Sequence, residues 1–232
     1  MSISEEIRLA LSEHEDVKYK AFQGALIPNI DPVTMIGVRT PIMRKLAKQF
    51  AKHQDVQTFL ADVPHEYYEE NVVHSFIVAE MKDYFRCVEE TEAFLPYVDN
   101  WAVCDGFSPK VFRKNLPDLF ERCKVWLQSE HTYTVRFALV MLLKHFLTEE
   151  YADEALRMAS EVDSEEYYVN MAISWLFAEA VGLCPRCAIP YLENCALKTE
   201  VHNKAIQKSV ESRKVPNETK AYLKTLKRKK DL

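Results

Sequence analysis

Glycine is scarce in this sequence. Only four of the 232 residues are glycine, at positions 24, 37, 106 and 182. Tight β-hairpins and glycine-rich phosphate-binding loops both depend on glycine, because its backbone adopts conformations that other residues avoid. The scarcity therefore disfavours a sheet-rich fold and a nucleotide-binding loop, and it leaves a fold built from long helices.

Long hydrophobic runs are also missing. No apolar stretch approaches the roughly 20 residues that a membrane-spanning helix needs. The N-terminal stretch MSISEEIRLALSEHE is acidic and amphipathic, and it lacks the basic start and apolar centre of a secretory signal. We therefore expect a cytoplasmic protein with no membrane partner.

The cysteines form no disulfide framework. Six are scattered along the chain, and free thiols are the expected state in a cytoplasmic protein of this size. One imaginable zinc set consists of Cys184, Cys187, Cys195 and His202. These residues fall on predicted helices rather than in a knuckle, so packed free thiols are the preferred interpretation. A redox role for the Cys184–Cys187 pair is disfavoured because no βαβ pattern surrounds it. We expect neither a metal nor a cofactor.

Charge is distributed unevenly. The formal net charge is −5, yet residues 198–232 contain eleven Lys and Arg against four Asp and Glu, which leaves 19 basic against 31 acidic residues elsewhere. A basic C-terminal region indicates a polyanionic partner. A solvated helix face and a basic, frayed tail at 227–232 would give the same pattern, so both interpretations stay open.

Helical periodicity extends along most of the chain. Residues 3–14 place their apolar side chains on one stripe, whereas the proline-containing stretch 24–40 predicts an irregular loop. Thr40 is predicted to cap the next helix, with Pro41 in its first position. Pro117 should end or kink the helix predicted at 109–126. Further helices are predicted at about 56–62, 66–83, 88–97, 100–106, 132–147, 150–160, 165–181, 185–195, 199–213 and 216–229.

Three segments resemble one another. Each begins with aromatic residues, continues with one polar residue and ends in a continuous apolar run. The segments are EYYEENVVHSFIVAEM (66–81), HTYTVRFALVMLLKHF (131–146) and EYYVNMAISWLFAEAV (166–181). Related polar positions recur every 29–36 residues, at Asn71, Asn100, Arg136, Asn170 and Asn203. This spacing is typical of stacked helical pairs that bury their faces against one another. The polar positions should then lie on one concave side of the stack.

A set of unusual side chains occupies these repeats. In DNWAVCDGF (99–107), helical spacing places Trp101 and Asp105 on one face of one turn. Arg136 and Trp175 lie at comparable places in later repeats, so stacking would bring them towards the same side. Each residue has an ordinary alternative: a core tryptophan, a helix-end aspartate, or an arginine paired with a neighbouring acid. Taken together, these four side chains are more than the packing of a core would require.

Four stretches in this order resemble the AlkD family of DNA alkylation repair proteins. They are IGVRTPIMRKLAK (36–48), NWAVCDGF (100–107), YTVRFALVMLL (133–143) and YYVNMAISWLFAEA (167–180). The resemblance implies an all-α, right-handed solenoid of about six HEAT-like repeats, forming one C-shaped domain over residues 1–232. Active members are similar to monofunctional N-glycosylases, a class of hydrolase, that bind duplex DNA in a concave groove. They excise cationic alkylpurines substituted at N3 or N7 without flipping the lesion into a pocket.

The resemblance also assigns roles to individual residues. Trp101 and Trp175 match two indoles that pack on the deoxyribose of the lesion, Asp105 matches the catalytic carboxylate, and Arg136 matches an arginine that holds the DNA backbone. These residue types suit the reaction, because glycosidic cleavage builds positive charge on the sugar. Indole faces attract that charge, and a carboxylate stabilises it and orients water. A cationic base leaves without a general acid.

One stretch departs from the pattern of active members. Where they carry a helix that inserts towards the minor groove, this chain has LIPNIDPVT (26–34), whose two prolines disfavour a helix. Ala102 and Met171 also replace an acidic and a basic residue that active members often have. These differences are similar to those of a divergent paralogue group that lacks the inserting helix and alkylpurine excision. The alternatives are therefore a catalytically weak or silent DNA-binding paralogue, or a helical-repeat scaffold for protein partners.

Basic side chains near the C-terminus are the remaining DNA-binding candidates. Contacts to phosphate from Lys204, Lys208, Arg213 and Lys214 are expected, and they would make binding to duplex DNA strongly salt-dependent. We expect the protein to act as a monomer.

Overall fold

The computed structural model describes residues 1–229, and these residues contain fourteen α-helices and no β-strand. The all-helical prediction is confirmed. The chain divides into two compact units, Met1–Asn115 (unit 1) and Leu116–Leu232 (unit 2). Unit 1 contains α1 (Ile3–Ser12), α2 (Val17–Leu26), α3 (Thr40–Phe50), α4 (Val56–Ala61), α5 (Tyr68–Ala79), α6 (Tyr84–Phe94) and α7 (Trp101–Gly106). Unit 2 contains α8 (Leu116–Trp126), α9 (Thr132–His145), α10 (Ala152–Ser160), α11 (Tyr167–Leu183), α12 (Pro185–Glu193), α13 (Thr199–Glu211) and α14 (Asn217–Thr225).

In unit 1, alternate helices pack in a row. Helix α5 lies between α3 and α7, and α1 and α6 also pack against it. Every residue of α5 from Tyr68 to Val78 is buried, which is the pattern of a central helix rather than a surface one. The apolar run that the sequence shows at 66–81 is therefore the core of this unit.

Unit 2 repeats the same arrangement. Helices α9, α11 and α13 pack side by side, with α8 against α9, α10 and α12 against α11, and α14 against α13. Residues Tyr133–Leu142 of α9 are all buried. Alternation of inner and outer helices is the packing that stacked helical pairs predict. The number of repeats, about six, stays a prediction.

Helix α2 is one that the sequence pattern does not predict. It includes Gly24–Leu26, the first residues of the predicted loop, and residues 27–39 then contain no α-helix, only a 3₁₀ turn at Pro32–Thr34. Periodicity misses α2 because Gln23 is its one buried residue, while the apolar side chains of Val17 and Phe22 are exposed. Its start is nevertheless marked, because the Asp16 side chain accepts a hydrogen bond from the backbone N–H of Tyr19.

Two predicted helix ends are corrected by the structure. Thr40 is the first residue of α3 and not its cap; Arg39 occupies the cap position without a side-chain hydrogen bond. The segment predicted as one helix at 109–126 consists of a 3₁₀ turn, Lys110–Lys114, followed by α8. Pro117 is the second residue of α8, where no intrahelical N–H bond is needed, so it begins a helix instead of interrupting one.

Arg228, in the described part of the C-terminal tail, is bonded to other parts of the chain. The backbone N–H of Arg228 donates to Asn203 Oδ1 at 2.9 Å, and its guanidinium donates to the carbonyl oxygen of Leu197 at 3.0 Å. These bonds connect Arg228 to α13 and to the segment just before it. The frayed tail at 227–232 stays a prediction, and residues 230–232 lie outside the described residues. Within residues 1–229, no helix has the length and apolar character that would let it cross a membrane.

Candidate functional site

The short helix α7 presents the first pair of predicted site residues. Asn100 caps it: its Oδ1 accepts from the backbone N–H of Val103 at 3.0 Å, and the residue is 1% exposed. Val103 and Cys104 face the core, whereas Trp101 and Asp105 are both partly exposed. The structure therefore places the indole and the carboxylate on one accessible side of a single turn, as the spacing predicts.

The indole of Trp101 is held by the end of α2. Its Nε1 donates a hydrogen bond of 3.1 Å to the carbonyl oxygen of Leu26, the last residue of that helix. Asn29 strengthens the same junction, because its Nδ2 donates to the carbonyl oxygen of Asp99 at 2.7 Å. The polar edge of Trp101 is thus satisfied by protein, and its partly exposed ring is fixed in orientation.

A buried carboxylate shapes the segment between α2 and α3. Glu69 is 1% exposed, and its carboxylate oxygens accept from the backbone N–H groups of Ile36, Gly37 and Val38 at 2.9, 2.7 and 3.3 Å. Such charge-assisted bonds are stronger than neutral ones and compensate for burying the charge. Sequence reasoning missed this residue, because an acid in the first turn of α5 is also an ordinary helix feature.

Glycine is required at position 37. Its φ is +98°, and a Cβ there would lie 2.7 Å from both the carbonyl oxygen of Asp16 and the Cβ of Lys20. The backbone also bonds at this point, since the N–H of Asp16 donates to the carbonyl oxygen of Gly37 at 3.0 Å. In the IGVRTP stretch, the backbone of the irregular segment therefore lies directly against the start of α2.

Arg136, predicted to hold a phosphate, is a core residue of unit 2. It is 6% exposed, and its Nη1 donates at 2.6 Å to the carbonyl oxygen of Tyr168 at the start of α11. This bond links α9 to α11 through a protein acceptor. Phosphate binding by Arg136 would require the side chain to emerge from this position.

The other recurring polar positions also bond to backbone. The Nδ2 atoms of Asn71, Asn170 and Asn203 donate to the carbonyl oxygens of Tyr67, Ser164 and Arg228, respectively, at 3.2, 3.0 and 2.8 Å. The bonds of Asn170 and Asn203 tie α11 and α13 to nearby main-chain segments, whereas the bond of Asn71 lies at the start of its own helix, α5. The repeat of polar residues that the sequence shows therefore has a structural role at these positions, satisfying carbonyl groups where helices begin and end.

Trp175 lies on α11 and is partly exposed, between the buried Ser174 and Leu176. It belongs to unit 2, whereas Trp101 and Asp105 belong to unit 1. Near this part of α11, a cavity of about 520 Å³ is lined by residues of both α11 and α13, including Met171, Ser174 and Lys204. The charged residues that line this cavity are balanced, with Glu165 and Glu200 against Lys204 and Lys227, and Trp175 lies outside its lining.

The predicted phosphate-binding residues differ in their surroundings. Lys204 and Lys208 are partly exposed on α13, and Arg213 is exposed beyond its end. Lys214 forms an ion pair with Glu179, with 2.5 Å between Nζ and Oε2. Lys214 is therefore already neutralised by protein, and Lys204, Lys208 and Arg213 are the better phosphate candidates.

The imagined zinc set is not assembled. Within residues 1–229, no group of three or more His, Cys, Asp and Glu side chains is arranged to hold a metal ion. His202 Nε2 instead contacts the carbonyl oxygen of Leu226 at 2.8 Å.

Rows of alternating helices, with polar side chains that tie each inner helix to nearby backbone, define a helical-repeat protein. Over residues 7–214 the chain matches the family described as DNA alkylation repair enzyme, and it belongs to that family. No curated protein sequence gives a significant match.

Proposed function

We propose that this protein binds alkylated duplex DNA and removes cationic N3- or N7-alkylpurines by hydrolysing the N-glycosidic bond. Membership of the DNA alkylation repair family supports the substrate class. The observation that carries the proposal is the α7 turn, where Trp101 and Asp105 are accessible on the same side.

The chemistry of that turn fits the transition state. Loss of the base leaves positive charge on the deoxyribose, and the electron-rich ring of Trp101 and the carboxylate of Asp105 both stabilise positive charge. The bond from Trp101 Nε1 to Leu26 fixes the indole before substrate arrives, so little side-chain freedom is lost on binding. Asp105 can also position the attacking water. The alkylated purine is already cationic, so it departs without a proton donor.

The basic side chains of unit 2 complete the proposal. Trp175 offers a partly exposed indole of the same unit as a further DNA contact. Lys204, Lys208 and Arg213 supply phosphate contacts, which position DNA and make the affinity salt-dependent.

A second candidate is a DNA-binding relative that does not excise bases. Two observations favour it: residues 27–39 contain no α-helix where active members insert one, and the guanidinium of Arg136 is buried against Tyr168. Such a protein would belong to the divergent paralogue group and would keep the α7 turn without its chemistry.

Release of 7-methylguanine distinguishes the two candidates. A duplex containing 7-methylguanine is mixed at low salt with excess protein, and free base is measured in a single turnover. For the glycosylase, we expect release that falls about a hundredfold or more in Asp105→Asn. Glu89→Gln is the control, because it removes one negative charge from an exposed side chain of α6 in the same unit.

Three outcomes are informative. Release that survives Asp105→Asn excludes the proposed chemistry. No release by wild type, where an active family member works and the protein binds the duplex, supports the non-excising relative. Absence of both release and duplex binding excludes both candidates.

A further inference from the structure

Two cysteines meet at the junction of α11 and α12. Cys184 precedes α12 as its cap residue, Pro185 is the first helical residue, and Cys187 is the third. The backbone N–H of Cys187 donates to the carbonyl oxygen of Cys184 at 3.0 Å, which closes the turn. Cap and third-position side chains face one another at a helix start, as in a capping box. The two sulfur atoms are therefore neighbours.

The thiol of Cys187 has two acceptors. The Cys184 sulfur and the carboxylate of Asp153, on the adjacent helix α10, both lie within reach of the thiol, which has one hydrogen to share between them. The carboxylate stabilises the protonated form of Cys187, so Cys184 is the thiol that is left to act as the nucleophile.

Both thiols are accessible. Cys184 and Cys187 are partly exposed, and Leu183, Pro185 and Arg186 around them are exposed. Three other cysteines, at positions 87, 104 and 123, are buried, while Cys195 is exposed and precedes α13. The pair thus combines access with a neighbouring thiol and a carboxylate.

We propose that Cys184 and Cys187 form a thiol–disulfide exchange site, at which a small-molecule disulfide such as oxidised glutathione converts the pair into an intramolecular disulfide. This activity is separate from DNA repair and uses none of the residues proposed for it.

The exchange balances in two steps. The Cys184 thiolate attacks one sulfur of the glutathione disulfide; that S–S bond breaks, one glutathione thiolate leaves and takes up a proton, and a mixed disulfide forms on Cys184. Cys187 then loses its proton to solvent, and its sulfur attacks Cys184 Sγ. The second glutathione thiolate leaves and takes up a proton from solvent. The two protein thiols are oxidised by two electrons, and one glutathione disulfide is reduced to two thiols.

Burial affects the rate and the equilibrium differently. Desolvation raises the pKa of Cys184, and desolvation together with the bond to Asp153 raises the pKa of Cys187 to about 11. Little thiolate is present at neutral pH, so oxidation is slow there and accelerates as the pH rises. Because the reduced pair is not stabilised as thiolate, the disulfide is a stable product once formed.

Peptide mass spectrometry tests the proposal on the full chain. The protein is incubated with oxidised glutathione at about pH 8, where thiolate becomes more abundant, then quenched by alkylation and digested. We expect a Cys184–Cys187 disulfide, a glutathione adduct on Cys195 and alkylated thiols at the three buried positions. Dithiothreitol should restore both thiols.

Matched variants separate the two steps. In Cys187→Ser, the reaction should stop at a glutathione adduct on Cys184; in Asp153→Asn, which removes a carboxylate that raises the pKa of Cys187, that adduct should resolve faster than in wild type. Folding of each variant is checked by circular dichroism. A wild-type protein whose Cys195 is fully modified while Cys184 and Cys187 both remain thiols overturns the proposal, as does a Cys184 adduct that never resolves.

Discussion

The carboxylate of Glu69 accepts a 2.7 Å hydrogen bond from the backbone N–H of Gly37, and this contact fixes the irregular segment between α2 and α3. Ile36 and Val38 donate to the same carboxylate. Three main-chain donors on one buried anion leave the segment no need for helical hydrogen bonds, so it stays irregular without unsatisfied groups at these positions.

Neutralising this carboxylate should destabilise the protein. Glu69→Gln removes the charge and turns an NH₂ group towards backbone N–H donors, so we expect a loss of about 3 kcal/mol in the free energy of unfolding. Urea denaturation measures it. Glu66→Gln is the control, because the Glu66 side chain is 60% exposed and its ion pair with Arg8 contributes about 0.5 kcal/mol. Equal losses in the two variants would contradict the role of Glu69.

Adding a methyl group at position 37 should also lower the free energy of unfolding. Gly37→Ala forces a Cβ into contact with Asp16 and Lys20 and strains a residue at positive φ, so we expect a loss of about 2 kcal/mol or more. Gly24→Ala is a matched control within α2, where the new Cβ meets Met35 Sδ at an ordinary 3.7 Å. That control should gain about 0.5–1 kcal/mol of stability from helix propensity. Thermal or urea unfolding compares the two, and a stable Gly37→Ala protein would refute the argument.

Acid should destabilise unit 1 through a pair of histidines, of which His74 is buried and His65 is partly exposed. His65 Nε2 and His74 Nδ1 are 2.9 Å apart, and His74 stacks on Phe94. Desolvation lowers the pKa of His65 from 6.5 to about 4, and desolvation and His65 also lower the pKa of His74. A histidine with a lowered pKa binds its proton more readily when unfolded. The stabilising contribution is therefore complete above pH 6.5 and is lost as the pH falls towards 4.

The size of the effect follows from the shift of His65. At pH 5, protonation of the unfolded chain at this residue alone should reduce the free energy of unfolding by about 2 kcal/mol relative to pH 7. Urea titrations at both pH values measure it. In His65→Asn, which cannot titrate, the difference between the two pH values should shrink by a similar amount; an unchanged difference would exclude His65 as its source.

Duplex-DNA affinity should depend on Lys204 and Lys208 more than on Lys214. Lys204→Ala and Lys208→Ala are each expected to reduce the slope of log K against log salt by about one. Lys214→Ala should change the slope less, because Glu179 already neutralises this side chain. Fluorescence anisotropy at several salt concentrations gives the slopes. Equal slopes in all proteins would place the phosphate contacts elsewhere.

The fold class and the spacing of the inner helices can be predicted from the sequence alone, because apolar runs and polar openings recur with a helical-repeat period. The placement of Trp101 and Asp105 on one turn is equally local, since i and i+4 positions share a helix face. What these positions contact, by contrast, is set by tertiary packing. Arg136 is buried on a carbonyl of α11, and Glu69 bonds to a segment more than thirty residues earlier. Helix α2 and the pairing of Cys187 with Asp153 likewise depend on contacts between elements, which local periodicity does not encode.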